Sequence, residues 1–138
     1  MKATFDLLGN VILVNFPHGS QKNEKKKFAL RLLKEHKSAR TILEKTGKFS
    51  GRLRKQKTRW ILGLRTKEIL YKENNCVFRF NADSTYFSPR LSNERKEIAG
   101  KIKKDDEVLV MFAGVAPFPI VIAKNSKARK IVSVEINK

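Results

Sequence analysis

The 138-residue sequence predicts an α/β chain: a basic α+β region over residues 1–103, then a strand–helix–strand unit over 104–138 that reads as the opening of a doubly wound parallel sheet. Three observations predict it. Short β-branched runs bounded by Gly, Asn and Pro flank one long charged segment of helical period. The later stretch V-M-F-A-G-V-A-P-F-P-I-V-I-A-K, residues 110–124, joins two apolar runs through a turn of small residues. Between these patterns, Lys103–Asp106 is wholly polar and marks the expected boundary.

In F-D-L-L-G-N-V-I-L-V-N-F-P, residues 5–17, Gly9-Asn10 signals a turn and Val11–Phe16 a strand stopped by Pro17. Residues 24–46 are expected to form a helix, with Phe28, Leu32 and Leu33 on one face, Ile42 and Leu43 continuing it, and Lys and Arg outside. The segment G-K-F-S-G-R-L-R-K-Q-K-T-R, residues 47–59, lacks apolar period and reads as a loop or irregular strand displaying Arg52, Arg54, Lys55, Lys57 and Arg59. Trp60–Gly63 returns as a strand, with Trp60 expected in the core. Ile69–Tyr71 and Cys76–Asn81 form a strand pair turned at Glu73-Asn74-Asn75, and Phe78 and Phe80 alternate with Arg79. Residues 84–95 start extended and enter a helix, with Ser88 as N-cap, Pro89 in the first turn, and Leu91, Ile98 and Ile102 on one face. Val108–Phe112 and Ile131–Ile136 read as strands buried on both faces, and Pro117–Lys124 as the helix between them.

Composition narrows the function classes. One cysteine, Cys76, excludes an internal disulfide framework and a multi-cysteine metal site, and His18 and His36 have no candidate co-ligand nearby in sequence, so metal-free chemistry is expected. No run of 18 apolar residues suits a membrane span, and the N-terminal residues lack a continuous apolar signal segment; a cytoplasmic location is expected. The formal charge is +18, and residues 22–72 hold 18 of the 31 Lys and Arg against 4 of the 13 acids, fourteen of the net charges. Such a field attracts a polyanion through phosphate contacts and counterion release. Nucleic acid is therefore the expected partner, ahead of a merely solvated basic face or an anionic membrane.

Glycine after a first parallel strand lets a ligand lie against the backbone, and an acid closing the second strand can accept ribose hydroxyls. Gly114 and Glu135 stand 21 residues apart, near the spacing of nucleotide sites. The turn lacks the three-glycine dinucleotide pattern, which favours a phosphate-free ligand such as S-adenosylmethionine over NAD. A plain structural turn is the competing reading.

V-L-V-M-F-A-G-V-A-P-F-P-I-V-I-A-K followed by V-S-V-E-I-N resembles motifs I and II of archaeal tRNA guanine-N1 methyltransferases acting at position 37, a class I, S-adenosylmethionine-dependent family. Y-F-S-P-R-L-S-N-E-R, residues 86–95, resembles that family's signature just before its methyltransferase domain, and residues 5–17 resemble the opening of its tRNA-contacting domain. The resemblance implies a basic tRNA-contacting domain at 1–103 and an incomplete Rossmann-like methyltransferase domain at 104–138. It implies cofactor contacts at Tyr86, Phe112, Ala113, Gly114, Glu135 and Ile136, with Pro89 shaping the pocket. Glu94 resembles the general base that takes the proton from guanine N1. Arg54 resembles the arginine on the adjacent guanine oxygen, with Arg52 as alternative. Arg52, Lys55, Lys57, Arg59 and Arg90 are the expected tRNA-backbone contacts.

The chain departs from the family pattern at Val110, Ala116 and Pro119, where Asp, Gly and Ser are common. The family's N-P-P-type motif and its third and later strands are absent, so the chain is expected to be truncated after motif II, with a second chain as a possible complement. Residues 105–138 are expected to be marginal alone. A non-catalytic RNA-binding fragment, or the aminocarboxypropyl transferase of wybutosine synthesis, are the alternative readings.

Overall fold

The computed structural model describes residues 2–47 and 55–137. The chain forms two compact units, one of residues 1–71 and 79–85, the other of residues 72–78 and 86–138. This division differs from the expected one at 103/104: residues 86–103 cluster with the later strands.

The first unit is built on a four-stranded sheet in the order β1 (Thr4–Leu8), β2 (Val11–Asn15), β3 (Thr41–Lys45), β4 (Thr58–Gly63). β1 and β2 are an antiparallel hairpin turned at Gly9-Asn10, as expected. Gly9 has φ +59°, and a Cβ there would stand 1.9 Å from the Leu70 carbonyl oxygen, so the position accepts only glycine. The Asn10 side chain then ties the turn to the next segment, donating to the Glu68 carbonyl at 3.1 Å and accepting from the Leu70 amide at 2.8 Å.

β2 and β3 run parallel, with α1 (Lys22–Glu35) as the crossover. Its N-terminus is held by a reciprocal capping box between Gln21 and Glu24, which offsets the lysines of the first turn. The expected helix over 24–46 is corrected here: α1 stops at Glu35, and Thr41–Lys45 is a strand. A short apolar run has no decisive period, and β-branched Thr41 and Ile42 are wholly buried beside β2. The core gathers Ile12, Val14 and Phe16 of β2 and its end, Ala29 and Leu32 of α1, and Ile42 of β3.

β4 is an edge strand, antiparallel to β3 with a bulge at Ile42/Leu43. Trp60, expected in the core, is 37% exposed instead. Its indole flanks the sheet edge, donates to the Gly63 and Leu64 carbonyls at 3.3 and 3.2 Å, and carries the Arg65 guanidinium 5.3 Å from its ring centre.

β5 (Glu68–Glu73) and β6 (Cys76–Asn81) form a two-stranded sheet. β5 extends through Glu73, and the turn is Asn74-Asn75 alone, both left-handed with φ 45° and 61°. Cys76, Phe78 and Phe80 are buried in alternation with exposed neighbours, as expected.

In the second unit, a 3₁₀ turn at Pro89–Leu91 leads into α2 (Ser92–Lys101). The buried positions of α2 are Arg95 and Ala99, one helical turn apart, and not the expected Leu91, Ile98 and Ile102 face. β7 (Glu107–Met111), α3 (Pro117–Asn125) and β8 (Lys130–Val134) follow, with β7 and β8 parallel. The expected burial of both sheet faces does not hold. Leu109 and Met111 pair with Val132 and Val134, and all four are more than 40% exposed, while Val108, Val110 and Ile131 on the opposite face are half-buried. In a period-2 ladder one covering layer shields only alternate residues.

Candidate functional site

The second unit brings the two ends of the predicted nucleotide turn together. β7 ends at Met111, the chain reverses through Phe112 and Gly114, both left-handed, and α3 begins at Pro117. The Gly114 amide donates to Glu135 Oε2 at 2.6 Å. The Ile136 and Asn137 amides donate to Oε1 at 2.9 and 2.8 Å. These bonds, that of Asn137 foremost, hold the Glu135 carboxyl below its ordinary value of 4.5. It is therefore an exposed, ionised acceptor with lone pairs to spare.

The remaining predicted cofactor residues lie around this pair or near it in the chain. Phe112, two residues before Gly114, is 88% exposed, and Ile136, next to Glu135, is 54% exposed. Ala113 is buried, its amide bonded to the Val134 carbonyl at 3.0 Å. Tyr86 is partly exposed, and its carbonyl oxygen would lie 3.7 Å from a Cβ added at Gly114. The requirement at Gly114 is thus its φ of +59°, more than space. Because the Gly114 amide already serves a carboxylate, it is not a free donor for a pyrophosphate. An anionic acceptor at the end of this turn suits a ribose and a cationic, phosphate-free ligand. The residues present fit S-adenosylmethionine in that sense.

The signature segment is anchored by a buried ion pair that the sequence reading missed. Arg95 Nη2 donates to Glu73 Oε2 at 2.7 Å, its Nε donates to Oε1, and Nη2 also reaches the Ser88 carbonyl at 3.0 Å. The Phe87 and Phe118 rings lie 5.1 and 5.7 Å from its guanidinium carbon. Asn74 donates to the Ser92 carbonyl at 2.9 Å, and Asn125 of α3 donates to the Asn74 carbonyl at 2.8 Å. The β5–β6 turn, the start of α2 and α3 are thereby locked together. No local pattern signals this pair, since Glu73 lies 22 residues from Arg95. Glu94 precedes Arg95 in the first turn of α2 and is exposed, as is Arg90.

In the first unit, Lys55 and Lys57 are exposed, and Arg59 lies on β4 with its Nε 3.3 Å from Glu44 Oε2. Arg52 and Arg54 fall outside the described residues. Thr58 and Lys67 both reach Asp83: the Thr58 amide and hydroxyl donate to Oδ1 at 3.0 and 2.5 Å, and Lys67 bonds Oδ2. Burial works to raise the Asp83 pKa, but these donors outweigh it and hold the carboxyl below its ordinary value.

Comparison with known proteins decides the family. Residues 69–138 match the TRM5/TYW2 methyltransferase domain. The chain belongs to the TRM5/TYW2 methyltransferase family. Among curated relatives of this TRM5/TYW2 chain is the Nanoarchaeum equitans tRNA (guanine(37)-N(1))/4-demethylwyosine(37)-methyltransferase Taw22. It is 40% identical over 97% of this chain and 43% of the relative. Among solved structures, a complex of aTrm5 and tRNALeu superposes with TM-score 0.86 at 26% identity, covering 97% of this chain and 39% of that one. Methanocaldococcus jannaschii Trm5 in complex with adenosine superposes at 0.80 and 25% identity, covering 97% and 38%. The mixed α/β fold is thus that of the Trm5 structures, and the chain spans about two fifths of the length of the relatives it matches.

Proposed function

We propose that this chain is part of a tRNA methyltransferase that transfers a methyl group from S-adenosylmethionine to guanine N1 at position 37. The observation that carries the reading is the Gly114–Glu135 bond at the end of β7, in a chain of the TRM5/TYW2 family. The likeness to an adenosine-bound Trm5 and to a tRNALeu-bound aTrm5 supports both the cofactor and the substrate.

In this reading the second unit holds the cofactor and the basic first unit holds tRNA. Glu135 accepts the ribose hydroxyls, with Tyr86, Phe112, Ala113, Gly114 and Ile136 around the rest of the ligand. The bound cofactor supplies an electrophilic methyl. Guanine N1 carries a proton and is a poor nucleophile until that proton leaves, and a carboxylate within reach can take it. Glu94, exposed at the start of α2, is that base. A guanidinium stabilises the charge developing on the adjacent oxygen, the role assigned to Arg54 or Arg52. The guanine leaves its stack to reach these groups. Lys55, Lys57, Arg59 and Arg90 bind the backbone.

The test is calorimetric titration of the chain with S-adenosylmethionine, with and without unmodified tRNA. Saturable heat that is lost in Glu135→Ala supports the cofactor assignment; tRNA binding with no cofactor heat would reduce the chain to an RNA-binding module. In an enzyme containing this chain, Glu94→Gln should spare tRNA affinity and slow single-turnover transfer. Equal rates would remove Glu94 as the base. Because the Nanoarchaeum relative is named for both guanine and 4-demethylwyosine, both should be offered as substrates.

A further inference from the structure

The first unit contains a cleft of about 540 Å³ between the N-terminal turn of α1 and β4. Lys22, Lys25 and Lys26 line one wall, Arg59 and Trp60 the other, and Glu44 of β3 the floor. Lys25 Nζ donates to Glu44 Oε1 at 2.6 Å. Glu44 Oε2 is different. It is buried, on a side chain only 9% exposed, and among the described residues no hydrogen bond reaches it. Arg59 Nε stands 3.3 Å away without hydrogen-bond geometry, on a side chain that is 65% exposed. A buried carboxylate oxygen left with Coulomb attraction alone is costly, and a donor at that position would relieve it.

From this arrangement we infer that the cleft is a subsite for one unpaired RNA nucleotide, its base against Trp60 and its phosphate on Lys22, Lys26 and Arg59. The inference rests on the RNA-binding reading above. Three features choose a nucleotide over a free anion. The carboxylate floor repels phosphate, so an anion is confined to the lysine rim. The indole lines the cleft and is 37% exposed, so part of its surface stays open to a stacked base even with the Arg65 guanidinium over the ring. Arg59 can turn from Oε2 to the phosphate while an N–H of the base edge takes its place. One swap then satisfies both the arginine and the orphan oxygen. Double-stranded RNA cannot present an unstacked base here, so the subsite selects loops, bulges or ends.

Trp60 is the protein's single tryptophan, so its emission reports the subsite directly. The 138-residue chain is titrated with an unmodified tRNA transcript, a single-stranded RNA pentamer and a blunt RNA duplex, while polarisation of labelled RNA reports binding independently. Expected are saturable quenching of Trp60 by tRNA and the pentamer, little by the duplex, and a photocrosslink from 4-thiouridine in the pentamer to the β4 peptide. The Lys22→Ala/Lys26→Ala variant should lose about tenfold in pentamer affinity, a step of the size one stacked and neutralised nucleotide provides. Lys103→Ala/Lys104→Ala, an equal charge loss in the second unit, should change it far less. Binding of tRNA by polarisation with unchanged Trp60 emission and no β4 crosslink would overturn the subsite and leave the RNA-binding reading intact. Absence of any RNA binding would overturn both.

Discussion

Arg95 and Glu73 form an ion pair buried as deeply as the apolar core, with side chains 1% and 3% exposed. Its two-point geometry, the Ser88 carbonyl and the flanking Phe87 and Phe118 rings hold the guanidinium in place. The pair fixes the segment that presents Glu94, without itself being placed at a ligand.

Arg95→Met alone should destabilise the chain by about 3–5 kcal/mol, because it strands a buried carboxylate. Pairing it with Glu73→Leu should recover most of that loss, since apolar residues of similar volume often replace a buried pair without cost. Urea denaturation of both variants checks this. A single-variant loss within the spread of ordinary surface changes would show that the pair is incidental.

The Gly114–Glu135 bond makes a pH prediction with a definite sign. The folded Glu135 carboxyl is held low, so the stability it lends the turn is present above the ordinary carboxylate range. That stability is lost as pH falls through the lowered folded value. The Gly114 amide resonance followed by NMR should titrate with a midpoint below 4.5, and Glu135→Gln should abolish that titration. A midpoint at or above the ordinary value would mean the bond is not formed in solution.

Ala116 caps α3 in the left-handed region at φ +59°, where the family pattern commonly places glycine. A side chain in that conformation costs about 1 kcal/mol or more relative to glycine. Ala116→Gly should therefore stabilise the chain by about 1 kcal/mol, read as a rise in thermal midpoint. No change, or a fall, would place the cap in another conformation.

If the basic first unit docks the tRNA backbone, affinity should fall steeply and log-linearly with salt. Lys55→Ala/Lys57→Ala should reduce that slope by about 1 to 2, each lost phosphate contact removing slightly under one unit. A flat dependence between low and moderate salt would remove the docking role.

The β1–β2 hairpin, the β5–β6 alternation and the β7–α3–β8 order were legible because Gly9-Asn10, Phe78/Phe80 and the Ala113-Gly114 turn are local signals. Thr41–Lys45 was misread as helix because its identity as a strand comes from burial beside β2, which adjacent residues do not encode. The approach of Gly114 to Glu135 was legible in their spacing. Arg95 and Glu73 were not, because nothing local marks an arginine that will be buried; its partner lies 22 residues away. Trp60 was misplaced for a related reason: a tryptophan in a strand is assigned to the core unless the strand is known to be an edge.

The paired side chains Leu109, Val132, Met111 and Val134 make an exposed apolar stripe on a protein of net charge +18. Mutual repulsion between such charges opposes the meeting of two stripes, and its reach shrinks from about 10 Å at 0.1 M salt to about 3 Å at 1 M. High ionic strength, the usual means of stripping nucleic acid from a basic protein, therefore removes the colloidal protection at the same moment. Preparations freed of RNA in this way should be the ones that self-associate, and returning them to low salt should restore dispersion by restoring the reach of the repulsion.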